Sequence, residues 1–576
     1  MRLINIDAFL QRESLIHSGQ QVDRRTKIFE FRDDEVTEYA ILSHLWIDPT
    51  EVDYKDMVDL AKMDKQERDE IRGRLGYKKI VDTCSQAQTD RYEWVWVDTC
   101  CIDKRSSAEL SEAINSMYRW YRNARRCYAY LHDVDGSHFP TKKDYPKSNG
   151  WPEWFSRGWT LQEMIAPRDL RFFNKDWQPI GDKKSLAQTL NTITGVPEHI
   201  LADGLEGNHP CVAQIISWAA NRTTTRAEDR AYSLMGLLDV NMPMLYGEGK
   251  KAFHRLQLEI IRSSNDQSIF AWGHNSKNVR IGGILADDPS FFKDCSRMMP
   301  LNDSEFIKTF PELSSTNVDN FDVFPITNRG IQIWMLFRRY RGSNFVFKAY
   351  LPCHTYGSFV TIDLVLWNSN YYRYPSTWHA ALEDSPAVFS QVYLRYQDAP
   401  NHAVTFELDD SGLIENGFTR SCVDPKDLTE NPISLTNANP FCIKSYSDEQ
   451  GKHCFNVAFG LYFGLDWAHL DDFRPSTISD IDWEASICCG PDLALSMADE
   501  PPEDDSSGHL WICHLHLPKS TWVVRTYRVA WERSKVRLRM EVSQDSSFQS
   551  GLDEWKAYGI EVSDFLVRIG HCHNHT

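Results

Sequence analysis

The chain has 576 residues, 42% hydrophobic and 12% aromatic, and its 63 Lys and Arg against 81 Asp and Glu give a net charge of −18. That length exceeds one ordinary core and sets an expectation of several domains. The acidic balance argues against a nucleic-acid or anionic-membrane binder, which needs a net cationic face, and no apolar run is long enough for a membrane span.

The N-terminal stretch from Met1 to Leu10 lacks the apolar run and cleavage site of a signal peptide and reads as an edge strand. Fourteen cysteines occur without a CxxC pair, several inside apolar runs, such as Cys127. This fits reduced, buried thiols and sets an expectation of a cytoplasmic protein. The adjacent pairs Cys100-Cys101 and Cys488-Cys489 are poorly placed to hold one ion, and the tail from His571 to His575 reads as a frayed terminus. No metal is expected.

Tyr39 to His44 is a short apolar run ending abruptly in polar residues, the pattern of a buried strand. An acidic loop follows through Asp48, Glu51, Asp53 and Asp56. The charged stretch from Lys62 to Arg74 reads as an exposed helix, and Tyr77 to Ala87 as a second. Tyr92 to Val97 is a strong strand that ends at Asp98, Cys101 and Asp103. Ser106 and Glu109 form a capping box for a helix with Leu110, Ala113, Ile114, Met117, Tyr121 and Ala124 on one side. Arg126 to Leu131 and Leu170 to Phe173 complete four strands separated by helical segments. Such alternation predicts a doubly wound parallel sheet, with ligands bound outside the carboxyl ends of its strands.

That geometry singles out Ser43, His44 and Trp46 after the first strand and Asp98, Cys101 and Asp103 after the second. Between the third and fourth strands lies Trp154-Phe-Ser-Arg-Gly-Trp-Thr-Leu-Gln-Glu163. Ser156 can cap a short helix here and Pro167 stops it. A carboxylate on a rigid helix, flanked by aromatic faces and the cation of Arg157, suits a flat or cationic substrate. The plainer reading is a solvated glutamate beside an aromatic core cluster. A Cys100 or Cys101 thiol with His44 as its base is a further option. Gly247-Glu-Gly249 reads as an ordinary helix start, because no GxxxxGK[ST] is present. Arg226, Asp229 and Arg230 read as the lock of a helix junction.

From Cys211 to Ser264 the chain turns helical, with Phe253, Leu256 and Ile260 as the buried stripe of the last helix. After about residue 275 the texture is β-rich, in runs such as Ile331 to Phe337, Phe359 to Trp367, Trp522 to Trp531 and Val536 to Val542, which suggests a sandwich or barrel. The expected division is 1–205 for the α/β domain, 206–275 for its helical extension and 276–576 for a β-rich domain. Proteolysis is expected first near Lys277 or in the acidic loop around Pro501.

Several segments carry a resemblance. Tyr39 to His44, Trp96 to Lys104, Ala113 to Trp120 and Arg157 to Glu163 resemble the heterokaryon-incompatibility (HET) domain of filamentous fungi. Leu45 departs from the polar or small residue usual there. Ala231 to Gly236, Pro243 to Gly249 and Ser268 to Trp272 resemble the extension that follows that domain. The resemblance implies non-self recognition and cell death when incompatible hyphae fuse. HET domains are similar to TIR domains, so it also implies a flavodoxin/TIR-like sheet and NAD hydrolysis. Glu163 is then the catalytic residue, with Trp159 its matching tryptophan and Ser43, His44, Trp46, Asp98, Cys101, Asp103 and Arg157 around the substrate. NAD enters as substrate, with no cofactor, and protein partners or self-association are expected. The alternative from the same resemblance is a non-catalytic assembly module.

Overall fold

The computed structural model describes residues 1–20, 27–47, 49–146, 148–273, 282–310, 313, 324–340, 343–374, 382, 384–397, 403–421, 431–436, 441–462, 465–471, 510–516, 522–532 and 535–544. Lys277, Pro501 and the His571 tail lie outside them. The chain divides into two compact units. One comprises Met1–Trp272, Ala286–Pro300 and Cys353–Ser358; the other comprises Gly273–Leu285, Leu301–Pro352 and Phe359–Thr576.

The first unit is built on seven strands: β1 (Arg2–Asn5), β2 (Phe29–Phe31), β3 (Tyr39–His44), β4 (Trp94–Trp96), β5 (Arg126–Tyr130), β6 (Leu170–Phe173) and β7 (Pro179–Asp182). They lie in the order β2-β1-β4-β3-β5-β6-β7. The four strands expected from the alternating pattern pair in parallel, β4 with β3, β3 with β5 and β5 with β6. All six residues of β3 are buried, as a central parallel strand covered on both faces requires.

Two expectations need correction. The sheet is mixed, because β1, β2 and β7 add antiparallel pairs at its two sides. The N-terminal strand is not an edge: β1 pairs with β2 on one side and β4 on the other. Its apolar Leu3 and Ile4 are wholly buried, which is why it sits inside the sheet. Residues from Ile6 onward turn helical, capped by the Asn5 side chain on the Ala8 N–H at 2.9 Å.

The first helices are α1 (Ile6–His17), α2 (Tyr54–Asp59), α3 (Lys65–Arg72) and α4 (Leu75–Thr89). Asp64 and Glu67 make a reciprocal capping box at α3. Ser106 also caps its helix, accepting from the Glu109 N–H at 3.3 Å. The reciprocal bond expected there is not made: the Glu109 carboxylate grips Arg2 at 2.6 and 3.1 Å and accepts from the Asp103 N–H. A bidentate guanidinium is a stronger partner than one backbone amide.

The chain order β3, β4, β5 places β4 on one side of β3 and β5 on the other, so the winding reverses at β3. In open α/β sheets this reversal opens a crevice at the carboxyl ends of the strands. Below it, Trp96 packs edge-on to Trp120 and Tyr121, with ring centroids 5.5 and 5.9 Å away. Trp96→Ala is expected to cost about 3–5 kcal/mol through the cavity it leaves. The loss should read out in the first transition of urea denaturation.

The segment from Cys211 to Ser264 is helical but more broken than its periodicity predicts, with helices at Val212–Ser217, Asp229–Tyr232 and Lys251–Ser263 and a 3-10 turn at Gly236–Leu238. Phe253, Leu256 and Ile260 are buried as expected. In the second unit all four β-rich runs are strands, within Ile331–Arg339, Ser358–Trp367, Trp522–Glu532 and Lys535–Gln544. A five-stranded and a four-stranded sheet share one apolar core there, with Phe406, Leu538 and Met540 meeting Phe455, Val457 and Phe459. This is the face-to-face packing of a sandwich.

Candidate functional site

At the switch point, β3 delivers Ser43 and His44. The chain after β4 delivers Asp98, the first residue of α5 (Asp98–Cys101). The long helix α6 (Ser107–Asn123) brings Tyr121 from beneath, and α7 (Thr160–Ile165) brings Glu163. Ser156 does not cap α7 as expected. Its hydroxyl donates to the Glu153 carbonyl in a 3-10 turn (Glu153–Ser156), and Thr160 instead ties α7 down by donating to the Trp154 carbonyl at 2.5 Å.

Gly158 permits this arrangement. Its N–H donates to the Thr223 carbonyl at 2.9 Å, and a Cβ there would stand 2.5 Å from Thr224 Cγ2. Gly158→Ala is expected to cost about 1–3 kcal/mol by overpacking. Adding Thr224→Ser, which deletes that methyl, should recover most of the loss in thermal melts.

Glu163 is 5% exposed, so it belongs to the interior and not to a solvated rim. Ser43 Oγ donates to Glu163 Oε2 at 2.5 Å and accepts from the Trp154 indole N–H at 2.8 Å. The tryptophan that reaches the carboxyl is therefore Trp154. Trp159 is half-buried, and its side chain bonds Asp229. Burial, reinforced by the Asp98 charge, raises Glu163 to about 8, against the opposing pull of Ser43, Arg222 and Tyr121. That shift favours the carboxylic acid at neutral pH. Proton counting agrees: Tyr121 Oη gives its proton to the Leu42 carbonyl at 2.9 Å. With that bond in place Tyr121 can only accept from Glu163, which favours the acid; its pull towards the carboxylate operates only if Tyr121 leaves the Leu42 carbonyl.

Asp98 behaves oppositely. Burial pushes it up, but bonds from His44 and Trp46 and the charges of His44 and Lys104 hold it below the usual range. His44 Nε2 lies 2.9 Å from Asp98 Oδ1, and Trp46 Nε1 donates to Oδ2 at 2.7 Å. Trp46 is 50% exposed, with the Lys104 ammonium 3.5 Å from its ring centroid. Two neighbouring carboxyls thus have their proton affinities driven apart, the pattern that separates acid from base in many enzymes.

Other candidates are placed elsewhere. Asp103 pairs with Arg105. Arg157 reaches Thr225 at 3.1 Å and lends its carbonyl to Arg222. Cys101 is buried, with its sulfur 3.4 Å from the Val97 N–H, and burial raises the Cys100 thiol well above its ordinary range. With His44 held by Asp98, no thiol–imidazole pair is assembled. The N–H groups of Gly247 and Gly249 both donate to Glu228, so that loop wraps a carboxylate. Arg230 locks onto Asp288, and Asp229 accepts from Tyr246.

Trp154, Tyr121 and Lys104 were missed as site residues. Trp154 stands in the Trp154–Glu163 motif, the helical period of α6 marks Tyr121 only as core, and Lys104 stands in the polar burst after β4 with no sign that it would lie on Trp46. Among the described residues no cluster of His, Cys, Asp and Glu is arranged to hold a metal, and no helix is long and apolar enough to cross a membrane.

Residues 39–152 match the family model described as Heterokaryon incompatibility protein (HET). The matched residues lie in the first unit. The match contains Ser43, His44 and Asp98 and ends before Trp154 and Glu163. Residues 251–346 match a domain of unknown function, DUF8212. Vegetative incompatibility protein HET-E-1 of Podospora anserina is 42% identical over 266 residues, 44% of this chain and 19% of its own length. The chain thus spans about a fifth of that relative. Two solved structures of the Xerocomus chrysenteron lectin XCL, wild type and a mutated form, cover 25% of the chain at 10% and 13% identity with a TM-score of 0.17. A likeness that slight carries nothing for fold or ligand.

Proposed function

We propose that this protein acts in vegetative incompatibility and that its HET domain, TIR-like in this reading, promotes cell death from the cytoplasm by hydrolysing NAD. The similarity to HET-E-1 supports the first part. The second rests on one observation, the neutral Glu163 set against the charged Asp98 at the sheet's switch point. In NAD the leaving nicotinamide is already a cationic pyridinium, so no general acid is needed, and one carboxylate suffices to stabilise an oxocarbenium-like transition state. An arriving pyridinium favours the ionised form of Glu163, whose proton passes to bulk water as the cation enters. Trp46 offers an aromatic face that already attracts a cation, Lys104.

The test is nicotinamide release from NAD by the purified full chain. Release that exceeds the buffer rate and disappears with Ser43→Ala supports the reading; NAD left intact under conditions where the protein kills cells overturns it. A second reading, a non-catalytic module working by self-assembly or partner binding, is favoured by the closed hydrogen bonding of Glu163 within the fold. Killing without loss of NAD would select it.

A further inference from the structure

A second feature of the first unit lies outside the Ser43–Glu163–Asp98 cluster. A cavity of about 400 Å³ lies between the loop before the 3-10 turn, the end of a helix at Ala187–Thr194 and the segment after Val212–Ser217. Neither Ser43, Asp98 nor Glu163 lines it. Its described lining includes Lys143 and Arg222 and no carboxylate, in a chain whose net charge is −18. The rest of the wall is mostly hydroxyl and amide, with Trp151 and Phe155 as aromatic surface.

Two of its lining residues have buried donors left over. Arg222 is 3% exposed; its Nη1 donates to the Arg157 carbonyl at 2.8 Å and to Thr160 Oγ1 at 2.9 Å, while Nη2 has no partner. Trp218 is also 3% exposed, and its indole N–H has no partner. Buried donors are nearly always satisfied, and each orphan calls for an explanation. A guanidinium edge and an indole N–H on residues that line a cationic cavity, each closed to water in the ligand-free chain, both ask for an acceptor-rich anion. The volume suits a small organic ligand more than a lone ion.

We propose that this cavity binds a small phosphorylated molecule, its phosphate oxygens accepting from Arg222, Trp218 and Lys143 and its organic part lying on Trp151 and Phe155. Arg222 would be the anchor, since its other nitrogen already holds Thr160 at the start of α7. The ligand would therefore brace the helix that carries Glu163. The proposal concerns binding and stands or falls apart from NAD hydrolysis.

The test is thermal-shift and calorimetric titration of the full chain at constant ionic strength with inorganic pyrophosphate, ADP and, as a carboxylate control, succinate. Saturable stabilisation by pyrophosphate and tighter binding of ADP are expected. Lys143→Ala and Trp218→Phe should each weaken binding about tenfold, the scale of one hydrogen bond to a charged group. Neither removes the Arg222 bonds to Arg157 and Thr160, and ligand-free melts check that both variants fold. The proposal is overturned if neither phosphate compound binds saturably, if succinate binds as well as pyrophosphate, or if both folded variants bind like the parent.

Discussion

Glu163→Gln is expected to lower nicotinamide release by about 10²–10³, the scale of losing one preorganised electrostatic group from a dry site. Gln keeps the volume and can accept from Ser43 through its oxygen and donate to Tyr121 through its nitrogen, as the neutral acid does. It cannot ionise, so a developing oxocarbenium ion loses its counter-charge. The variant should therefore fold with the Ser43–Trp154 chain intact, which a near-ultraviolet spectrum of the buried tryptophan can check. Glu112→Gln, on an exposed position of α6, is the control and should release nicotinamide at the parental rate. Glu109 is unsuitable because it holds Arg2. Parental turnover from a folded Glu163→Gln protein would sink the enzymatic assignment of this residue.

Stability is expected to fall as pH rises, and Glu163 should be a main cause. The folded protein holds this proton to about pH 8, against an ordinary value of 4.5. Between those values the folded state binds more protons than the unfolded chain, so the contribution is full below the lower value and gone above the upper one. The difference corresponds to about 5 kcal/mol if nothing relaxes around the buried charge. Other groups titrate over the same range, so the useful quantity is the difference between parent and Glu163→Gln in urea denaturation at pH 5 and pH 9. The variant should match or trail the parent at pH 5 and exceed it by several kcal/mol at pH 9. A difference that stays constant with pH would mean Glu163 ionises freely in the folded protein.

The two predictions turn on one carboxyl whose position was legible in the sequence and whose state was not. Glu163, Ser43 and Asp98 come together because a parallel sheet gathers the ends of its strands at one edge, and strand–helix alternation announces such a sheet. The same reasoning also set Asp103 at that edge, and the motif and its resemblance set Arg157 there. Both placements failed, because Arg105 and Thr225 lie nearer and take those side chains. The resemblance picked Trp159 over Trp154, and there too a distant partner intervenes: Asp229, far along the chain, claims the Trp159 side chain.

What the sequence determined by itself is local in origin. Apolar periodicity marked the four parallel strands, the helix with Tyr121 on its inner face and the β-rich runs of the second unit, since each pattern repeats within one element. The tertiary structure decided that the N-terminal strand is inserted between two others, that Glu109 serves Arg2, and that Glu163 is buried and neutral. Each of these depends on a partner brought from a distance: Glu163 and Ser43 are 120 residues apart. A proton's affinity is set by the water excluded and the charges left nearby, and both exist only once the chain has folded.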